Sequence, residues 1–106
     1  MAIKPKPPAH EVLVSILQDM TEHLKDQTAY GKALVVMDAL VRVLCEMHIP
    51  DNGRAQVAQC FRILAEAAMP YAKTSPVAAD FVDDLPVLAR KILNCEDFRY
   101  EDYFNN

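Results

Sequence analysis

Apolar residues recur along most of the chain at spacings of three and four, the period of an α-helix seen from one side. Between residues 9 and 25, Leu13, Ile16, Leu17, Met20 and Leu24 fall on one face, with Glu11, Ser15, Gln18, Glu22 and Lys25 opposite. That pattern predicts a half-buried helix. Ahead of it stand Pro5, Pro7 and Pro8, which cannot share a helix interior because proline lacks the amide hydrogen and clashes with the preceding turn. Residues 1–8 are therefore expected to be a flexible lead-in. The Pro5-Lys6-Pro7-Pro8 run fits a minimal PxxP pattern, common enough that it reads here as an extended terminus.

The next segment, about residues 28–48, is apolar almost all round. Its charges through the middle are Asp38, Arg42 and Glu46, at i, i+4 and i+8. On a helix they form one narrow stripe in which Arg42 can pair with either neighbour. A strand would put all three charges on one face along with Leu34, Val36, Leu40 and Leu44, and no alternation results, so the valines do not make this a strand. A helix apolar over most of its circumference is expected to be surrounded. The reading is therefore an all-α, compact four- to five-helix bundle around a central hydrophobic helix (about 28–48), with Leu40 and Leu44 in the stability core.

Pro50-Asp51-Asn52-Gly53 ends that helix, and Asp51 or Asn52 is the expected N-cap of a third, which runs to about Met69. Val57, Phe61, Leu64, Ala65 and Ala68 form its main apolar face and Gln59, Arg62 and Glu66 its wet side. Cys60, Ile63 and Ala67 widen the apolar arc beyond what one neighbouring helix covers. Ser75-Pro76 is a strong start signal, an N-cap followed by proline at the first helical position. Pro86 then predicts two short helices, about 76–82 and 85–93, with Asp83 or Asp84 capping the second; one proline-kinked helix is the alternative. Short connections favour antiparallel neighbours. Residues 95–106 form an acidic-aromatic tail, and the whole of 1–106 reads as a single helical domain.

Composition sharpens this picture. The 106 residues are 52% hydrophobic and hold two glycines, with a net charge of −4. Disorder is excluded by the hydrophobicity, and a turn-rich all-β fold by the scarcity of glycine. A strongly basic nucleic-acid binder is disfavoured by the sign of the charge. Residues 75–106 hold three basic and seven acidic residues, so the net charge is carried by the last third. The longest hydrophobic tract, residues 33–45, includes Asp38 and Arg42 and is too short for a span of roughly 20 apolar residues; no membrane insertion is expected. Cys45, Cys60 and Cys95 are odd in number and widely spaced, which is neither a disulfide framework nor a zinc ribbon. With no apolar run behind Lys4 and Lys6, a cytoplasmic protein with reduced thiols is expected.

Motifs that carry chemistry are absent from the sequence. There is no Glu-x-x-His pair for a dimetal bundle, no HExxH, and no glycine-rich loop, since Gly31 and Gly53 stand alone. Cys45 and His48 at i, i+3 lack two further metal ligands, and Cys45 reads as a small hydrophobe. Asp19 and His23 at i, i+4 read as a surface ion pair with no nucleophile beside them. No cofactor, no metal and no enzymatic activity are expected.

The function expected from this balance is that of a small non-enzymatic protein-binding module, an adaptor, chaperone-like accessory or inhibitor, and homodimeric. Its partner-binding residues are expected among Phe98, Tyr100, Tyr103 and Phe104 of the tail, whose large rings bury much area with few rotors. The Cys60, Ile63 and Ala67 face is expected to pair across a two-fold axis. The first alternative is a DNA-associated regulator using Arg54, Gln56, Gln59 and Arg62 at the start of the third helix. The second is an apolar-ligand carrier with a cavity among Met37, Leu40, Leu44 and Phe61.

Overall fold

A computed structural model describes residues 7–26 and 30–99 of the chain. Among them are four helices: α1 (Ala9–His23), α2 (Tyr30–Glu46), α3 (Arg54–Ala68) and α4 (Pro76–Leu93). Three short 3₁₀ turns, Leu24–Asp26, Asp51–Gly53 and Met69–Tyr71, adjoin their ends. No strand occurs among the described residues, so the protein is all-α. Residues 28 and 29, placed by the sequence reading in the second helix, lie outside the described residues.

Contacts at the two ends of the bundle fix the directions of the helices. At one end the Tyr30 ring, opening α2, lies against the Tyr71 ring beyond α3, with centroids 4.5 Å apart. The Tyr71 hydroxyl donates to the Leu24 carbonyl at the end of α1 (3.3 Å), and the Tyr30 hydroxyl lies 3.1 Å from that of Thr74, just before α4. At the other end Arg54, opening α3, donates to the carbonyl of Ile92 near the end of α4 (3.3 Å). His10, in the first turn of α1, sits against Gly53, immediately before α3. The helices therefore alternate up, down, up, down. α3 packs most extensively against α4, antiparallel to it; α1 borders α3 and α2, and α4 also borders α2.

Small side chains explain the closeness of α3 and α4. Ala58, Ala65 and Ala68 of α3 and Ala78 and Ala89 of α4 are all buried, and short side chains let two backbones approach more closely than leucines would. Phe61 and Phe81, fully buried in the same two helices, supply the bulk. The inward face expected of α3 is the one found, since Val57, Phe61, Leu64, Ala65 and Ala68 are all buried while Gln59, Arg62 and Glu66 are exposed.

α2 is not the surrounded element. It buries Leu34, Met37, Val41 and Leu44, a single stripe, and leaves Val35 61%, Val36 50% and Val43 46% exposed. The Cα trace measures only 18 Å through its thinnest direction. Three helix layers at 8–10 Å spacing would need roughly 20–25 Å, so no helix here is enclosed on all sides. Leu40, expected in the core, is only half-buried, whereas Leu44 is fully buried. α1 is also rotated from the expected face: Val14 and Leu17 are fully buried and Ile16 is 43% exposed. The one buried hydroxyl on α1, that of Thr21, donates to the Leu17 carbonyl at 2.6 Å, so it carries no unpaired polar group inward.

Helix ends and prolines follow local chemistry with two corrections. Ser75 caps α4 as expected, its hydroxyl oxygen accepting from the Ala78 amide at 3.2 Å with Pro76 at the first helical position. Neither Asp51 nor Asn52 caps α3; its N-cap is Gly53, and Asp51 instead accepts from Arg54 Nε at 3.1 Å. Pro86 does not split the fourth segment: Pro76–Leu93 is one helix with Pro86 inside it. The ring of Pro86 is exposed, so its clash with the preceding turn falls on the solvent side, where water can reach the Val82 carbonyl left without a donor.

α4 ends in a paired hydrogen-bond motif that the sequence does not advertise. The Glu96 amide donates to the Lys91 carbonyl (2.9 Å) and the Cys95 amide to the Ile92 carbonyl (3.3 Å). Cys95 accordingly sits in the left-handed region, φ 55°, where glycine is the usual occupant. A side chain there costs about 1 kcal/mol. Cys95→Gly is expected to stabilise the protein by about that amount, raising its melting temperature by roughly 4–8 °C. Thermal denaturation of the two proteins side by side checks this; an unchanged or lower value contradicts the strained cap.

Candidate functional site

The residues expected to read DNA are already committed to the fold at their first member. Arg54 is partly buried, held between the Asp51 carboxylate and the Ile92 carbonyl, and so joins the start of α3 to the end of α4. A guanidinium used in this way caps the carbonyl end of a neighbouring helix and is not presented to a phosphate. Gln56, Gln59 and Arg62 are exposed on α3. Only three of the four expected side chains therefore face solvent, and Arg62 is the one cation among them.

The expected partner face divides as well. Cys60 is 1% exposed inside the protein's own core, and burial pushes its thiol up to about 11. Ala67 is half-buried against the same core, and Ile63 is 42% exposed. Most of the extra apolar arc on α3 is thus covered within the chain. Of the tail aromatics, Phe98 is half-buried against the core and lines a 140 Å³ pocket beside Met47, His48 and Ile92. Tyr100, Tyr103 and Phe104 lie outside the described residues.

Neither cysteine in the helices is poised for chemistry. Burial, reinforced by the nearby charges of Glu46 and Asp38, pushes the Cys45 thiol up to about 12, although His48 stands one turn away on the same pocket. A nucleophilic cysteine needs the opposite shift, because the thiolate is the reactive form. Cys45 and Cys60 serve as small hydrophobes.

Asp19 and His23 form the expected ion pair, 3.7 Å apart and exposed to solvent. The His23 ring nitrogen Nδ1 also lies 2.9 Å from the Asp19 carbonyl oxygen. That backbone hydrogen bond, and secondarily the Asp19 charge, hold the His23 pKa above its ordinary value. Glu22 completes a group of three ligand atoms within 4.8 Å of one another. All three residues are exposed, and one face of one helix offers no fourth ligand to close a tetrahedral site. On α4, burial and then the charges of Asp80 and Asp83 raise the Asp84 carboxyl.

The residues suggested for an apolar-ligand cavity do not line an opening together. Met37, Leu44 and Phe61 are fully buried in the packed core, and Leu40 is half-buried at its edge. Two features were not anticipated. One is an open groove of 470 Å³ along α1, lined by Val12 and Ile16 together with the polar Glu11, Ser15 and Gln18, with Pro7 and Gln56 completing it. The other is the outward face of α2, where Val35, Val36, Ala39 and Val43 are exposed together. The signal for the second is the nearly unbroken apolar run of α2, which by itself predicts burial on every side. No helix among the described residues is long and apolar enough to cross a membrane. Comparison with protein-family models, with curated proteins and with solved structures finds no match for this chain, so its function is to be read from these surfaces.

Proposed function

We propose that the protein is a non-enzymatic, cytoplasmic protein-binding module, an adaptor or accessory that acts through its helix faces. The observation that supports this most directly is the clustering of outward apolar side chains on rigid elements. Single exposed valines are ordinary; several on one helix face are what interaction surfaces look like. Val35, Val36 and Val43 share one face of α2, and Val12 and Ile16 share the groove on α1, each between 43% and 61% exposed. The raised thiols of Cys45 and Cys60 agree with a role that needs no nucleophile.

The test is capture of partners from native lysate with tagged wild-type protein and with Ile16→Glu and Val36→Glu variants, each of which places a charge on one surface without touching the core. A partner retained by the wild type and lost by one variant is the expected result. Identical capture profiles from all three proteins would reject the reading. DNA association competes with it on the strength of Gln56, Gln59 and Arg62, and a salt-titrated mobility shift with mixed duplex DNA distinguishes the two, because phosphate contacts give salt-dependent binding.

A further inference from the structure

We infer that the outward face of α2 is a self-complementary seam that pairs antiparallel with α2 of a second copy of this chain, on a two-fold axis at Ala39. The exposed residues Lys32, Val36, Ala39, Val43 and Glu46 stand at i, i+4, i+7, i+11 and i+14, the alternating four-three spacing of a coiled-coil seam. This seam is separate from the buried one, Leu34, Met37, Val41 and Leu44, which faces the protein's own core. α2 thus carries two apolar stripes, and only one has a partner among the described residues.

The order of residues along the outer seam selects the partner. Read from either end it runs charge, valine, alanine, valine, charge, with the two charges opposite in sign. In an antiparallel pair centred on Ala39, Lys32 of each copy meets Glu46 of the other, seven residues from the axis on either side, and Val36 and Val43 pack side by side, staggered by one residue's rise of about 1.5 Å. Ala39 meets its own equivalent, where a small side chain lets the two helices approach closely. A parallel pair would set lysine against lysine and glutamate against glutamate, which is destabilising. The isologous arrangement is also the commonest way for a soluble chain to associate with itself. Glu46 already lies 3.8 Å from Arg42, an exposed pair that leaves its carboxylate room for a second cation. The valines are stiff at χ1 and surrender little rotamer freedom on docking.

This seam replaces the face expected from the sequence, in which Cys60, Ile63 and Ala67 were to pair; Cys60 is buried and cannot. A single helix pair of about four turns buries less than the ~800 Å² per partner of a standard interface. Dissociation in the micromolar range follows. The inference gives the binding-module reading a first partner, yet the two fail separately. A monomeric protein whose Ile16 or Val36 variant loses a partner refutes the dimer alone, and a dimer that captures nothing else refutes the wider role alone.

The experiment is sedimentation equilibrium on the full chain between about 10 and about 500 µM, a range that brackets micromolar dissociation. Lys32→Glu and Glu46→Lys are measured singly and together, with circular dichroism confirming helix content. The wild type is expected to move from 11.9 kDa toward twice that mass. Each single reversal creates two like-charge contacts per dimer and is expected to weaken association on the order of tenfold. The double reversal restores opposite charges and is expected to recover most of the loss. A wild type that stays monomeric throughout, single reversals that change nothing, or a double variant no better than the singles would each overturn the antiparallel seam.

Discussion

Phe61→Ala is expected to cost about 3–5 kcal/mol, the range for emptying a buried aromatic site, and to lower the melting temperature by at least roughly 12 °C. The ring is fully buried on α3, which packs most extensively against α4. The buried residues of those two helices include five alanines, Ala58, Ala65, Ala68, Ala78 and Ala89, whose side chains are too short to refill the space. A cavity that cannot collapse sits at the expensive end of large-to-small substitutions. For a domain of this length, with a total stability of about 5–15 kcal/mol, such a loss unfolds a large fraction of the molecules near physiological temperature. Val35→Ala is the control, since that side chain is 61% exposed and its truncation should stay within about 0.5 kcal/mol. Urea titration of both variants separates the outcomes. A Phe61→Ala protein as stable as the control would mean that α3 is not at the centre of the core.

The second large effect is expected at Gly53, for a reason that has nothing to do with its backbone. Its φ of −99° is open to any residue. The constraint is His10, whose imidazole Nε2 would lie 2.5 Å from a Cβ added at position 53, with Cδ2 at 3.0 Å. His10 is 4% exposed and belongs to the first turn of α1, so the ring cannot swing aside without disturbing the contact between α1 and the start of α3. Gly53→Ala is therefore an overpacking substitution, expected to cost about 1–3 kcal/mol. The prediction has an internal check. In a His10→Ala background the obstructing ring is gone, and the added cost of Gly53→Ala should fall close to zero. Equal costs in both backgrounds would show that the contact is not what requires glycine here; the coupling read from the four proteins is the measurement.

These two positions also show where sequence reading stops. Phe61 was legible as a core residue because its neighbours at three- and four-residue spacing are apolar, a signal held within α3 itself. Ser75-Pro76 was legible because a cap and its target amide lie three residues apart. The all-α class and the approximate bounds of the first three helices follow from signals of the same short range. Gly53 offers no comparable sign, since the atom that excludes a side chain comes from residue 10, 43 positions earlier. Arg54 likewise resembled a base reader because nothing nearby in sequence shows that Ile92 and Asp51 hold it.

By itself the sequence determined helix content, the inward face of α3, the cap of α4 and the absence of familiar catalytic or metal motifs, all of which depend on residues within a turn or two of one another. The tertiary structure decided which helix lies innermost, because an apolar circumference says how much surface a helix could bury but not how many neighbours it has. With a Cα trace only 18 Å through its thinnest direction, α2 has described neighbours on one side only, and the same valines that suggested a core helix become an exposed face. It also decided that Pro86 stays within one helix, since its ring points to solvent, and that Cys95 takes a glycine's conformation, since two hydrogen bonds closing α4 hold it there. Local chemistry chose the helices; which of their faces meet another helix and which meet water depended on contacts between residues far apart in the chain.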